Sequence, residues 1–428
     1  MTLIKPISRR LFLGTSAASV GVLAAPNIVR AQSRELRIGY ISAQSGPRAA
    51  FGASDAWMLS KIEEITKDGL DIGGNKYSVE FLNADNQSNM NRSTSVGNEL
   101  IQREGVDLLL FQDLDASVAV GEMADIARVP SISTMGPWQA WMFGRGSNPE
   151  QGFPYSFTFF WGADDAMNTF TRIWDQVATN KIVGDFYLDN PAGQAFASPD
   201  LGLPAVMAGA GYTNASGGMF QIETQDFSAQ VSRFKEANAQ IVAGFGFPPH
   251  WSTFWAQAGQ MGFSPEVATF AAAFLFPSAI EAMGDRGNGM TTEAWWTPNM
   301  PFQSSLTGQT GKEIADAWEA HSGAQWIQTI GYSHALFETG IEALKASGDP
   351  KNPDAVRDAI AGMKLNTLVG PVDFAGSPIK NVARTEVAGA QWRKTDGGKH
   401  PFELIITENT LAPSVDVQDT TLPLSALI

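Results

Sequence analysis

Residues able to carry catalysis are scarce in this chain and fall into no working pattern. Its four histidines, His250, His321, His334 and His400, include no pair at the spacing of a helical metal site. There is no cysteine, which excludes disulfides, thiolate metal sites, a cysteine nucleophile and a lipidated cysteine anchor. Gly209-Ala210-Gly211 lacks the third glycine of a dinucleotide fingerprint, and Gly308-Gln309-Thr310-Gly311-Lys312 lacks the spacing and following hydroxyl of a phosphate loop. No Gly-x-Ser-x-Gly elbow follows the N-terminal segment. His250, after Pro248-Pro249, reads as a solvated or hydrogen-bonded loop residue rather than a base. Carboxylates abound, but a sequence does not show which two would share a cleft. The expectation is a protein without cofactor or metal that binds rather than turns over.

What binding chemistry there is lies in an aromatic surplus. Trp138, Trp141, Phe143, Phe159, Phe160, Trp161, Phe245, Phe247, Trp251, Trp255, Trp295 and Trp296 fall near expected strand ends and crossings. Open α/β sheets take ligands beyond the carboxyl ends of their strands, and apolar pockets with a few polar groups are the common small-molecule site. Ring by ring, core packing is the commoner role. Trp57 and Trp255, on apolar helical faces, belong to it.

The elements that must position these rings alternate. Leu36–Ile41, Tyr77–Phe81, Val106–Phe111 and Val129–Ser133 read as strands, with helices over Gly52–Lys67, Met90–Glu104 and Ala116–Ala127 between them. A second series follows Pro137–Phe153, with strands at Ile182–Leu188, Ile241–Phe245 and Val267–Ala272 separated by helical segments. Such alternation implies parallel sheets with right-handed crossovers. Helices near Thr310–His321, Ile327–Ser347 and Pro353–Met363, then short strands at Leu368–Phe374, Val387–Arg393 and Phe402–Thr407, are expected to return and complete the two lobes. The expected boundaries are 32–158 plus 291–370 for the first lobe and 159–290 plus 371–428 for the second.

The N-terminus carries an address. Ser8-Arg9-Arg10-Leu11-Phe12-Leu13, a weakly apolar run to Ala25 and Val29-Arg30-Ala31 together read as an export signal of twin-arginine type, cleaved near Ala31. The run is well short of the ~20 residues of a membrane span. A formal charge of −15, more negative still without Lys5, Arg9, Arg10 and Arg30, repels phosphate backbones and anionic lipid, so nucleic acid and membrane surfaces are poor partners. A periplasmic monomer is expected.

Several segments together resemble the type I periplasmic binding proteins of ABC importers, of the leucine/isoleucine/valine-binding kind. They are Ser45-Gly46-Pro47 and Phe51-Gly52 after the first strand, the turn Asn83-Ala84-Asp85-Asn86-Gln87, Gly105-Val106-Asp107, Val129-Pro130-Ser131-Ile132-Ser133, Gly259-Gln260-Met261-Gly262-Phe263 and Val369-Gly370-Pro371-Val372-Asp373-Phe374. The resemblance runs from about 35 to 375. It implies two α/β lobes joined by three crossings that close on a small ligand, with an inner-membrane permease as partner. The same fold can instead present ligand to a receptor or kinase; an exported enzyme is a third reading, against which the missing motifs speak.

By the resemblance, ligand contacts come from Phe51, from Gln112–Ser117 with Asp115 and Ala116, and from Ser133, Thr134, Met135 and Gly136. In the second lobe they begin near Asn190, Phe247 and Ala272. Trp138, in a segment longer than the family pattern, would add an aromatic wall or lid. Two departures matter. Phe270–Ser278 contains no acid where amino-acid binders place the partner of the ligand ammonium, and the loop near Ala192 lacks an aromatic residue. Asp113 and Asp115 precede a helix as N-cap candidates, or one of them pairs with a cationic or hydroxylated ligand. The departures favour a ligand with a sizeable apolar or aromatic portion, an aromatic carboxylate before an ordinary amino acid.

Overall fold

Continuous apolar runs form buried parallel strands because both faces of such a sheet are covered by helices. In the computed structural model, which describes residues 34–428, β1 (Glu35–Ser42) is followed by α1 (Asp55–Thr66), the hairpin β2 (Leu70–Ile72)–β3 (Asn75–Asp85) and α2 (Met90–Asn98), whose last turn widens to a π-helix over Glu99–Glu104. Then come β4 (Leu108–Phe111), α3 (Leu114–Ala127), β5 (Ser131–Ser133), α4 (Trp138–Gly144) and β6 (Ser156–Phe159). The expected signal segment, residues 1–31, lies outside the described residues.

The second lobe begins with α5 (Ala163–Trp174), β7 (Ile182–Leu188), α6 (Pro191–Ala197), α7 (Leu203–Gly209) and β8 (Thr213–Phe220). It continues through α8 (Ser228–Glu236), β9 (Ile241–Phe245), α9 (Pro248–Gln260), β10 (Val267–Ala271), α10 (Pro277–Glu281) and β11 (Thr291–Ala294). After α11 (Gly311–Ser322), α12 (Thr329–Ser347) and α13 (Pro353–Ala361), the small hairpin β12 (Lys364–Thr367)–β13 (Gly370–Asp373) leads to β14 (Val382–Ala383), β15 (Ala388–Lys394) and β16 (Phe402–Glu408).

The first sheet runs β14-β6-β5-β4-β1-β3-β2 and the second β16-β15-β11-β10-β9-β7-β8. Pairing is parallel except in the β2–β3 hairpin and where β15 joins β11 and β16. The chain therefore passes between sheets three times, at 160–162, over 295–328 and at 384–387. Thr291–Ala294, expected with the first lobe, pairs with β10 and β15 of the second sheet, and Val382–Ala383, expected with the second lobe, pairs with β6 of the first. The strand read at Leu368–Phe374 is instead the return arm of a hairpin that turns at Leu368-Val369, where Gly370 takes a φ of +95° that favours glycine.

Nearly every residue of α12 is buried, several polar ones included. It is roofed by the first sheet: Tyr40 on β1 meets Phe337 with ring centroids 5.0 Å apart. Two polar groups on α12 tie down loops. His334 Nε2 lies 2.8 Å from Ser304 Oγ, and the Glu338 carboxylate accepts the Ser305 and Leu368 amides. Trp57 and Trp255 are core residues, the first edge-on to Trp318 and the second stacked on Trp251. Among the described residues no helix is long and apolar enough to cross a membrane.

Candidate functional site

The carboxyl ends of the parallel strands of both sheets face one cavity, partly open to solvent, with about 40 Å³ of room for water-sized groups. Strand carboxyl ends are where open α/β sheets bind ligands. From the first lobe the β1–α1 loop supplies Arg48 and Phe51, the start of α3 supplies Gln112 to Asp115, the β5–α4 turn supplies Met135 to Pro137, and the first crossing adds Phe160 and Trp161. From the second lobe come Asn190 and Ala192 after β7, Phe245 and Phe247 at β9, Ala272 after β10, and Glu293 and Trp295 at the end of β11.

Rings from the two lobes touch across this space. The Phe51 centroid lies 5.8 Å from Phe247, 5.0 Å from Phe276 and 6.0 Å from Trp295. Trp295 in turn lies 4.9 Å from Phe160 and 5.9 Å from Trp161. These mostly edge-on arrangements suit aromatic quadrupoles. Two non-glycine residues on the wall, Met135 (φ 59°) and Ala272 (φ 66°), sit in the left-handed region. Such strain persists where surrounding structure fixes it, often at ligand sites. Ala272 is held by its amide, which donates to Glu293 Oε1 at 2.9 Å.

The polar groups are buried and few. The Arg48 guanidinium reaches Asp113 Oδ2 at 2.7 Å and pairs closely with Asp115, all three side chains being under a tenth exposed. Burial works against the Arg48 charge, but Asp113 and Asp115 reverse that and leave it above its ordinary pKa. Burial pushes the Asp115 carboxyl up, against the pull of Arg48. Asn190 of the second lobe is near enough to lower the Asp115 pKa, and Arg48 lies over the Phe247 ring at 5.8 Å, so this ion cluster reaches both lobes. Its placement follows from local structure. Asp113 N-caps α3 by accepting the Asp115 amide, and takes a further bond from Asn86 in the turn after β3. Asp85 of the same turn accepts from the Gln44 amide and Ser45 hydroxyl, holding the loop that carries Arg48.

Glu293 is the other charged group on the wall. Its Oε1 accepts from the Ala272 amide and from Trp295 Nε1 (3.1 Å), and its Oε2 from Thr292 Oγ1 (3.0 Å). Burial drives its pKa up to about 7.

Of the residues expected from sequence, Phe51, Asp115, Met135, Asn190, Phe247 and Ala272 lie on the cavity wall. Four do not. Ala116 is packed on the other face of the first sheet with Val120 and Ala124. The Ser133 and Thr134 hydroxyls turn toward the neighbouring strand and donate to the Phe157 and Phe159 carbonyls. Trp138 opens α4 with its ring against Phe143 at 5.9 Å, and the adjacent Pro137 meets the cavity instead. The segment expected as an aromatic wall or lid is thus a short helix, and it packs against α6 of the second lobe. Sequence reasoning missed Arg48 and Glu293. Two acids in the α3 loop called for a buried cation, and a lone acid in the apolar run Met290–Trp296 was the signal for Glu293.

A family model described as periplasmic binding protein matches residues 35–399. Solved structures share the fold at low identity. A solute-binding protein of an ABC transporter from Rhodopseudomonas palustris BisB5, in complex with 3,4-dihydroxybenzoic acid, is 18% identical with a TM-score of 0.69, over 87% of this chain and 97% of that one. A second from R. palustris, in complex with 4-hydroxybenzoate, gives 18% and 0.69 over 90% and 98%. The branched-chain amino acid transporter substrate-binding protein LivJ of Streptococcus pneumoniae, in complex with isoleucine, gives 17% and 0.65 over 87% and 99%. With a family model covering most of its length and this two-lobed architecture, the chain belongs to the type I periplasmic binding protein family.

Proposed function

We propose that this protein is the ligand-capturing component of an ABC importer, working as a monomer in the periplasm and delivering its cargo to an inner-membrane permease. The ligand is a small organic molecule with an apolar or aromatic body, within the range of amino-acid-like compounds and aromatic carboxylates. The observation that carries this reading is the ring cluster contributed by both lobes, with Phe51 of the first against Phe247 and Trp295 of the second. A ligand seated among rings from both sides interacts fully only when the lobes are together. It therefore draws the hinge closed and marks the occupied state for a permease.

Two measurements test this. Mass spectrometry of protein purified without refolding should find a released small molecule. Solution scattering should show a smaller radius of gyration with that molecule restored than without it. A protein that carries nothing, binds nothing from a broad metabolite panel and keeps one shape throughout would refute the reading.

A further inference from the structure

We infer that the ligand carries a cationic nitrogen beside its apolar or aromatic body, and that Glu293 is the residue that receives the cation. This rests on the binding-protein reading above. The charge inventory of the cavity leads to it. Four charged side chains line the wall: Arg48, Asp113, Asp115 and Glu293. Arg48 commits both terminal nitrogens to the two aspartates, so the one cation lining the cavity among the described residues is already outnumbered.

Among the described residues no counter-ion pairs with Glu293. Its partners are the Ala272 amide, the Thr292 hydroxyl and the Trp295 indole, all neutral. Burial raises its pKa to about 7, against the pull of these bonds. A buried carboxylate of this kind is costly unless paired. A ligand cation would supply the missing partner, whereas a ligand carboxylate would add a further negative charge to a cavity already in excess.

The walls suit the same guest. The Trp295 ring, whose edge bonds Glu293, faces Phe51 and Phe160, and ring faces attract cations most strongly where water is excluded. Gln112 lines the cavity with its carbonyl Oε1 buried and unpartnered, an acceptor suited to an ammonium or amide donor. The buried, unpartnered Arg48 Nε and Trp161 Nε1 are two donors on the same wall. They fit a hydroxyl or carbonyl oxygen elsewhere on the ligand.

The test is calorimetric titration of the mature protein with matched pairs: phenethylamine against phenylacetate, tyramine against 4-hydroxyphenylacetate, and leucine as a zwitterion. The amines should bind at least about tenfold more tightly than their acid counterparts, the worth of one charge-assisted contact. Glu293→Gln should erase that preference. In the unsubstituted protein, amine binding at pH 6 should release a proton, seen as heats that vary with the ionisation enthalpy of the buffer, because the cation drives Glu293 to ionise. Arg48, Asp113 and Asp115 face the same space, so the control is Glu338→Gln, a buried carboxyl outside the cavity, which should leave the proton release in place. Tighter binding of the acids, or an amine preference and proton release that survive Glu293→Gln, overturns the assignment. A copurified ligand without a cationic nitrogen overturns it while leaving the binding-protein reading intact. A protein that binds no small molecule at all overturns both.

Discussion

Replacing Arg48 by methionine isolates the physics of the ion cluster across the cleft. Methionine keeps much of the apolar stem but removes the cation from between Asp113 and Asp115, whose side chains are only 7% and 9% exposed. Breaking a buried pair by removing one partner costs about 3–5 kcal/mol, because the remaining charge stays buried. The same figure follows from protonation. A carboxyl that must take up a proton to remain buried loses about 1.4 kcal/mol per pH unit above its unfolded pKa of ~3.9. That is roughly 5 kcal/mol at pH 7.5 and about 1 kcal/mol at pH 4.5. The Asn86 bond to Asp113 persists in the variant and favours the lower end. The assay is urea unfolding followed by circular dichroism at both pH values, with Arg48→Met/Asp113→Asn/Asp115→Asn as the charge-free control. A loss under about 1 kcal/mol at pH 7.5, or an equal loss at both pH values, would refute the argument that the triad is a buried, mutually dependent unit.

Two further outcomes follow from the same structure. Burial raises the pKa of Asp55, Glu293 and Glu338 to about 7 each, so the folded protein holds protons that the unfolded chain gives up. Stability should therefore be fullest below the unfolded pKa values near ~4 and fall as pH rises toward 7, by up to ~4 kcal/mol per group. His334 works the other way: burial lowers it to about 4, and its contribution is present above ~6.5 and lost as pH falls. Chemical denaturation midpoints from pH 5 to 8 should decline to a plateau near pH 7.5, and a steady rise would contradict the three-to-one balance. Gly193→Ala would place a Cβ 1.7 Å from the Leu188 carbonyl oxygen, a backbone atom with nowhere to go. The start of α6 must then shift, costing about 1–3 kcal/mol, and Asn190 moves with it. Ligand affinity should fall alongside the thermal midpoint, and an unchanged affinity would show that Asn190 contributes nothing to the cavity.

Legibility in the sequence followed burial. β7 and β9 fall where their apolar runs place them, Ile182–Leu188 and Ile241–Phe245, because a central parallel strand has no solvent face to interrupt the pattern. β8 at Thr213–Phe220 escaped notice because it is an edge strand, half exposed, with two glycines and three polar residues in eight. β11 was too short to separate from the turn before it, and α4 was hidden in a segment that looked like connection. In the site, the loops at strand ends were legible and their side-chain directions were not. Ser133 and Thr134 have the right chemistry in the right place, but the neighbouring strand offers their hydroxyls nearer acceptors. Arg48 and Glu293 carry no periodicity. Their roles exist only once a loop from β1 and the end of β11 are brought to the same cavity.

The returning strand β14 has a consequence in time. The first sheet is closed on one side by residues 382–383 pairing with β6, supported by the Asn381 side chain, which accepts the Phe153 amide. Between those two residues lie 228 positions of chain, about 10–45 s of translation at roughly 5–20 residues per second. Throughout that interval β6, with two phenylalanines in four residues, presents an open strand edge of the kind that templates aggregation. The nascent first lobe is thus committed to waiting, and the rate at which the ribosome reaches Asn381 sets how long an unsealed edge is offered to its neighbours.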